Sequence, residues 1–504
     1  MLFDLLTDAV ALGPDTPAVV TESESVTFAE LSARVERRAA QIASITARDD
    51  RVAVLAENCI EYVELYYAVP LAGRVLVPLN HRLHPHEWRA TLSASGAGAL
   101  FGDATLLDQC DTPVDHVISF GEPSEPAPPP NPGALVGYAA RSAQNPTNAR
   151  GGLGGASPED VAWLIGTSGT TGSPKLAMLS HANLLAAVEA TLPARPVGPD
   201  DTLLTPFPLC HVAGYNVFVL HRRARPIVLQ RSFDPVGLAH MVRDHRVTML
   251  SLAPTMIAML LDHPDVDDAD LATVRALGYG ASPIPGPMLR RVIERWDWDC
   301  SQGFGMTELA GNALFLGPDD HRAAVAGDTR LLNAAGRPSP GVDVQLGADD
   351  ELLVHAPQVM RGYWNDPDAT AAALADGWLH TGDVARIDDD GLVSIIDRKK
   401  DVIVSGGENV ASREVEEVLH AHPSVRDVAV IGLPDERWGE RVCAVVVRRE
   451  PIEADALIAH CRARLAGFKS PRRIEFVDTL PRNAAGKVLK HQLRSMFGGA
   501  KRSG

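Results

Sequence analysis

The chain has 504 residues, a length that at roughly 150 residues per domain suits about three compact units and can bury a large core without disulfide or metal staples. Apolar residues make up 45% and charged residues 22%, which excludes a largely disordered chain. Lys and Arg number 47 against 64 Asp and Glu, a net charge of −17; nucleic acid is thereby disfavoured as the main partner, because binding its backbone takes concentrated cations, while a local basic pocket for a phosphorylated ligand stays open.

The N-terminus, Met1-Leu2-Phe3-Asp4-Leu5-Leu6-Thr7-Asp8, carries acids where a signal peptide would carry bases. No apolar run approaches the roughly 20 residues of a membrane span. The cysteines, Cys59, Cys110, Cys210, Cys300, Cys443 and Cys461, are dispersed, which fits a reducing compartment and neither a disulfide framework nor a zinc knuckle. A cytoplasmic protein is expected, with peripheral membrane contact left open.

Thr27-Phe28-Ala29-Glu30 is a capping box and predicts a helix carrying Leu31, Val35 and Ala39 inward. Val52–Leu55 predicts a buried strand, residues 62–71 a helix, and Val75–Leu79 a second strand, together a parallel βαβ unit. Residues 121–159, with Pro126-Ala127-Pro128-Pro129-Pro130 and Gly151-Gly152-Leu153-Gly154-Gly155, are rich in breakers and predict a surface connection. A strand is expected at Val161–Ile165, and further β/α units at Val236–Leu252 and Leu271–Cys300. From Gly336 to Tyr363 the pattern turns to short alternating β segments, a small β-barrel-like unit. After Asp397 the chain predicts its own helices, Arg413–His420 and Ala456–Leu465, and strands, Asp427–Ile431 and Val442–Val447. The fold class is therefore α/β: a large N-terminal domain, residues 1–397, of parallel β/α subdomains, and a smaller α+β domain, residues 398–504, large enough to stand apart.

Chemistry concentrates in a few segments. Thr167-Ser168-Gly169-Thr170-Thr171-Gly172-Ser173-Pro174-Lys175 directly follows a predicted strand. Glycines let the backbone approach an anion, successive N–H groups form a phosphate nest, and hydroxyls and Lys175 add donors. No GK[ST] closes the loop, so a P-loop kinase or ATPase is disfavoured. Then come Pro208-Leu209-Cys210-His211-Val212-Ala213-Gly214, Gly278-Tyr279-Gly280-Ala281-Ser282-Pro283 and Gly303-Phe304-Gly305-Met306-Thr307-Glu308. Trp378-Leu379-His380-Thr381-Gly382-Asp383, Asp397-Arg398-Lys399-Lys400-Asp401 with Ser405-Gly406-Gly407-Glu408-Asn409, and Pro481-Arg482-Asn483-Ala484-Ala485-Gly486-Lys487-Val488 complete the series.

In this order and spacing the segments resemble the adenylate-forming superfamily of acyl-CoA synthetases, peptide-synthetase adenylation domains and firefly luciferases, over nearly the whole chain. The resemblance implies that Thr167, Ser168, Gly169, Thr170, Thr171, Gly172 and Lys175 hold the ATP phosphates, with Thr170 also near the metal. Gly280, Ala281 and Ser282, with Gly303, Phe304, Gly305 and Met306, would line the adenine. Phe304 departs from the family's usual Tyr and keeps the stacking face without the hydroxyl. Thr307 would bind the α-phosphate, Glu308 Mg²⁺, and Asp383 and Arg398 the ribose. His211 would gate the passage between ATP and acid, Asp397 would be a hinge, Gly406 and Gly407 would face the CoA pantetheine, and Lys487 would be the catalytic lysine, its ammonium placed to stabilise charge moving between carboxylate and α-phosphate.

Three other clusters carry less. His81, His84 and His86 lack a matching carboxylate set for a metal; Arg222, Arg223 and Arg225 read as a solvated basic turn; Asp388-Asp389-Asp390-Gly391 reads as a hairpin turn. The expectation is an AMP-forming acyl-CoA synthetase using ATP, Mg²⁺ and CoA on a small carboxylic acid, taken to be a fatty acid. The alternatives are transfer to an acyl carrier protein, or an aromatic, dicarboxylic or sterol-derived acid. A short dicarboxylate wants a buried Arg in the acyl channel, and the sequence reading places none there.

Overall fold

The computed structural model describes residues 1–110, 114–120, 157–167, 174–280, 284–399, 401–405, 408–435, 438–483 and 486–498. The described residues fold into two compact units: Met1–Asp343 with His355–Leu379, and Val344–Val354 with His380–Gly504. This division counts residues 380–397 with the second unit, whereas the sequence reading drew its boundary after 397.

In the first unit the capping box forms as expected. Thr27 accepts the Glu30 N–H at 3.2 Å and Glu30 returns to the Thr27 N–H at 2.8 Å, starting the helix Phe28–Ile45, whose Leu31, Val35, Ala39 and Ile42 are buried. Strand Arg51–Leu55, helix Ile60–Leu71 and strand Val75–Leu79 make the parallel βαβ unit, in register from Arg51 opposite Val75 to Leu55 opposite Leu79. Their sheet runs in the order His116–Ser119, Ala97–Gly102, Arg51–Leu55, Val75–Leu79, Val161–Thr167 and Lys175–Ser180. Both faces are covered, so its central strands are continuous apolar runs.

A second sheet of this unit places Leu203–Thr205, Met249–Leu252, Ala276–Gly280 and Asp299–Met306 side by side and parallel. Helices Pro235–Asp244 and Gly286–Trp296 cross over between strands and bury Leu238, Val242, Leu289 and Val292 against Leu250, Leu252 and Leu277. These are the β/α repeats expected at 236–252 and 271–300. Gly311–Leu316 then returns antiparallel to Asp299–Met306.

In the second unit Asp388 to Gly391 turns Trp378–Ile387 into Val393–Arg398, with Gly391 at φ +72°. Farther on, Val425–Asp435 and Gly439–Arg448 form a long hairpin, with Arg473–Val477 parallel to its second strand. Alternation along this hairpin serves two cores. Val428, Val430, Val442, Ala444 and Val446 face helices Ser412–His420 and Ala454–Arg462. Ala429, Ile431, Cys443 and Val445 face helix Lys490–Phe497 through Leu493.

Among the described residues, no helix is long and apolar enough to cross a membrane, and no group of His, Cys, Asp and Glu is arranged to hold a metal by itself. His84 instead caps the helix Pro85–Ser95. Arg222 pairs with Glu189 at 2.9 Å on the surface, as a solvated turn requires.

Candidate active site

Strand Val161–Thr167 returns antiparallel as Lys175–Ser180, which sets Thr167 opposite Lys175. The connecting Ser168, Gly169, Thr170, Thr171, Gly172 and Ser173 lie outside the described residues, as do Ala281 and Ser282. A short extended segment docks along Lys175–Ser180: the Met178 N–H donates to Gly362 O at 2.9 Å and the Trp364 N–H to Leu176 O at 2.8 Å. That register lays the Tyr363 ring against Lys175, with Nζ 5.3 Å from the ring centroid. The Tyr363 hydroxyl donates to Glu308 Oε1 at 2.7 Å. Burial and the adjoining Glu308 carboxylate push the Tyr363 phenol well above its usual range, so it remains a donor. Glu308 is 7% exposed, and its backbone carbonyl takes the Met360 N–H at 2.8 Å. With one carboxylate oxygen on Tyr363 and its backbone held by Met360, Glu308 is oriented as a hard cation such as Mg²⁺ would use it.

Glu308 sits in the tight turn Thr307–Leu309 between Asp299–Met306 and Gly311–Leu316. The strands approach so closely that a Cβ on Gly305 would lie 1.9 Å from Gly311 O, so only glycine fits. Gly280 pairs with Gly303 on the neighbouring strand, and a Cβ there would meet Gly303 O at 2.8 Å. A side-chain-free strip results, flanked by the half-buried Phe304, Met306 and Thr307. Such a strip admits a flat base against backbone.

His211 opens the turn Val212–Tyr215. Burial, then Arg82 and His81, lower its imidazole to about 4, so it is neutral near pH 7. Its Nε2 is enclosed with no hydrogen-bond partner among the described residues. Just past it Tyr215, buried, shares a hydrogen bond with Thr191 Oγ1 at 3.0 Å and receives one from Asn312 Nδ2 at 3.1 Å.

In the second unit Asp383 and Arg398 face each other across the ribbon, with Arg398 Nε 2.7 Å from Asp383 Oδ1. Asp383 is 3% exposed, and its Oδ2 is buried with no partner among the described residues. Burial raises the Asp383 carboxyl, against the opposing pull of Arg398 and Lys487. An enclosed, unanswered acceptor beside a paired one is the arrangement a ribose diol would complete.

Asp397 is buried: Oδ1 takes the Arg398 N–H at 2.7 Å, and Oδ2 takes both the N–H and the hydroxyl of Ser412, at 2.5 and 2.7 Å. Lys487 is exposed on a turn held by the Asn483 side chain, which accepts the Lys487 N–H at 2.8 Å. Gly406 and Gly407 lie outside the described residues.

Sequence reasoning missed Tyr363 as a site residue; it follows Gly362, which the structure places at φ +135°.

Two family models match the chain: "AMP-binding enzyme" over residues 6–364 and "AMP-binding enzyme C-terminal domain" over residues 414–487. A feruloyl-CoA synthase of Amycolatopsis sp is 38% identical, covering 97% of each chain. A fatty acid–[acyl-carrier-protein] ligase of Streptomyces coeruleorubidus is 35% identical over 96% of this chain and 94% of its own. O-succinylbenzoate coenzyme A synthetase from Bacillus subtilis, solved with ATP and magnesium ion, superposes with a TM-score of 0.82 at 29% identity, covering 97% of this chain and 99% of that one.

Proposed function

We propose that this chain, which belongs to the AMP-binding enzyme family, uses ATP to join a carboxylic acid to coenzyme A. A carboxylate oxygen attacks the α-phosphorus, the bond to the β-phosphate breaks, and acyl-adenylate and pyrophosphate result. The CoA sulfur then attacks the acyl carbon, and AMP leaves with the former carboxylate oxygen. Activation is needed because a free carboxylate is a poor electrophile and AMP is a competent leaving group.

Each residue role is part of the proposal. Asp383 and Arg398 bind the ribose, the Gly280 and Gly303 strip with Phe304 receives adenine, and Thr307 and Lys175 meet phosphate oxygens. Glu308, oriented by Tyr363, holds Mg²⁺, which when bound offsets phosphate charge. His211, neutral, separates nucleotide from acid without adding charge. Lys487 stabilises charge during adenylation, and the Gly406-Gly407 turn serves the CoA step, the residues after Asp397 forming the moving part. A reducing, cytoplasmic setting suits six cysteines of which none is in a disulfide.

The observation that carries the reading is the buried Asp383 with one oxygen on Arg398 and the other unanswered. The test is pyrophosphate–ATP exchange over acids of graded length and ring content, with product nucleotide identified. AMP and acid-dependent exchange are expected; ADP, or no exchange with any acid, overturns it. The sequence reading's fatty acid is supported by the fatty acid ligase relative, and a ring-bearing acid by the feruloyl-CoA synthase relative. The carrier-protein relative also supports a second reading, acyl transfer to a phosphopantetheine carrier, which comparison of CoA with a holo-carrier as acceptor separates.

A further inference from the structure

In the first unit lies a small cavity bounded by Thr191, Arg195, Asn216, Ser251 and Gly278, with aliphatic side chains between them. Gly278 and Gly280 are two apart on one strand, so they face the same side of the sheet, roughly 6.6 Å apart. Asn216 directly follows the turn that His211 opens. One wall of the cavity thus follows the His211 turn in the chain, and another, Gly278, lies on the strand that ends at Gly280. The cavity volume is about 20 Å³, room for one small polar group.

Arg195 is the one cation among the described residues lining this cavity, and no carboxylate lines it. One guanidinium nitrogen donates to the carbonyls of Tyr279 at 3.1 Å and Ser301 at 3.2 Å, and the Phe315 ring lies 5.6 Å from its carbon. A Cβ on Gly278 would come within 2.9 Å of the guanidinium, so the absence of a side chain there makes its berth. Nε is enclosed with no partner among the described residues. Two carbonyls orient the group and leave its charge without an anion. A plain alkyl end pressed on it would remove water and return nothing.

We propose that Arg195 is a specificity-determining residue that receives an oxygen acceptor, a hydroxyl, keto or second carboxylate group, at the end of the acid remote from the reacting carboxylate. The inference rests on the acid-activating function proposed above and narrows its substrate to oxygen-terminated acids. A site built to donate to an oxygen rejects the analogue that lacks it, because its own donor is then left unanswered.

The experiment measures kcat/KM for matched pairs: cinnamate and 4-hydroxycinnamate, a medium-chain fatty acid and its ω-hydroxy and ω-carboxy forms. The oxygen-bearing member of at least one pair is expected to be preferred roughly 10- to 100-fold, the range of a hydrogen bond to a charged group. Arg195→Met is expected to erase that preference with the KM for ATP unchanged, and Arg195→Lys to retain part of it. Equal use of both members by the native protein overturns the inference, and so does a preference that survives Arg195→Met. A parallel loss on all acids with a raised KM for ATP also overturns it, since that marks a purely structural prop for the strands. Should Arg195→Met not fold, the native comparison alone decides. Failure of every acid to support exchange would instead strike the function itself.

Discussion

A carboxylate kept in a dry place with half its hydrogen-bonding capacity unused is costly to the fold, and Asp383 is such a group. Its raised carboxyl pKa means that ionisation works against the folded state. Asp383→Asn is therefore expected to leave the thermal midpoint little changed while raising the KM for ATP at least about tenfold, the scale of one lost charge-assisted bond. A large fall in the midpoint with an unaltered KM would assign Asp383 to structure alone. Lys487 differs in being exposed. Lys487→Ala is expected to abolish pyrophosphate exchange yet spare thioester formation from supplied acyl-adenylate. Equal loss of both half-reactions would refute its assignment to the first step.

Among the elements, helix Ser412–His420 has no side-chain cap of its own, since Ala411 stands at the N-cap. Asp397, fifteen residues earlier, supplies it by accepting the Ser412 N–H, and its charge also complements the helix N-terminus. Lys490 braces the same point, donating to Ser412 Oγ at 2.6 Å. Asp397→Ala is expected to destabilise the C-terminal unit by about 1–2 kcal/mol, the worth of a cap, and to slow CoA transfer more than adenylation. Adenylation damaged first would count against a hinge there. Much of this scale was legible in the sequence because it is local: the Thr27–Glu30 box, the apolar strands at Asp427–Ile431 and Val442–Val447 and the β/α repeats each announce themselves within a dozen residues, whereas the pairing of those two strands into a hairpin was not foreseen. Neither was the segment Gly362–Trp364, for a single bridge between Ala177 and Tyr363 has no periodicity to detect. Arg195 was hidden for a related reason. Pro193-Ala194-Arg195-Pro196 reads as an exposed connection, and only the distant strands at 279 and 301 enclose its guanidinium.

For the whole molecule, four imidazoles, His181, His211, His221 and His321, are each lowered to about 4, burial being the first cause in every case. Hydrogen bonds fix the neutral tautomer of His221, which accepts from the Tyr67 hydroxyl at 2.7 Å and donates to Ala18 O at 3.1 Å. Below the unfolded value of about 6.5 the unfolded chain takes up protons that the folded chain refuses. The stability these groups confer is whole above pH 6.5 and is lost as pH falls toward 4. Burial lowers His81, His420 and His460 as well, while the carboxyls of Glu36, Glu64, Asp383 and Glu416, which burial raises, act the other way. The thermal midpoint is expected to fall steeply between pH 6.5 and 4.5, and His221→Gln to flatten that slope; an unchanged slope would remove these histidines as its cause. The placement of the thiols has a practical corollary. Cys110, Cys210 and Cys300 are buried in one unit, Cys443 and Cys461 in the other, and Cys59 is half-buried. Alkylation followed by peptide mapping during gentle denaturant titration should therefore tag the halves separately, making the chain its own reporter of which half opens first.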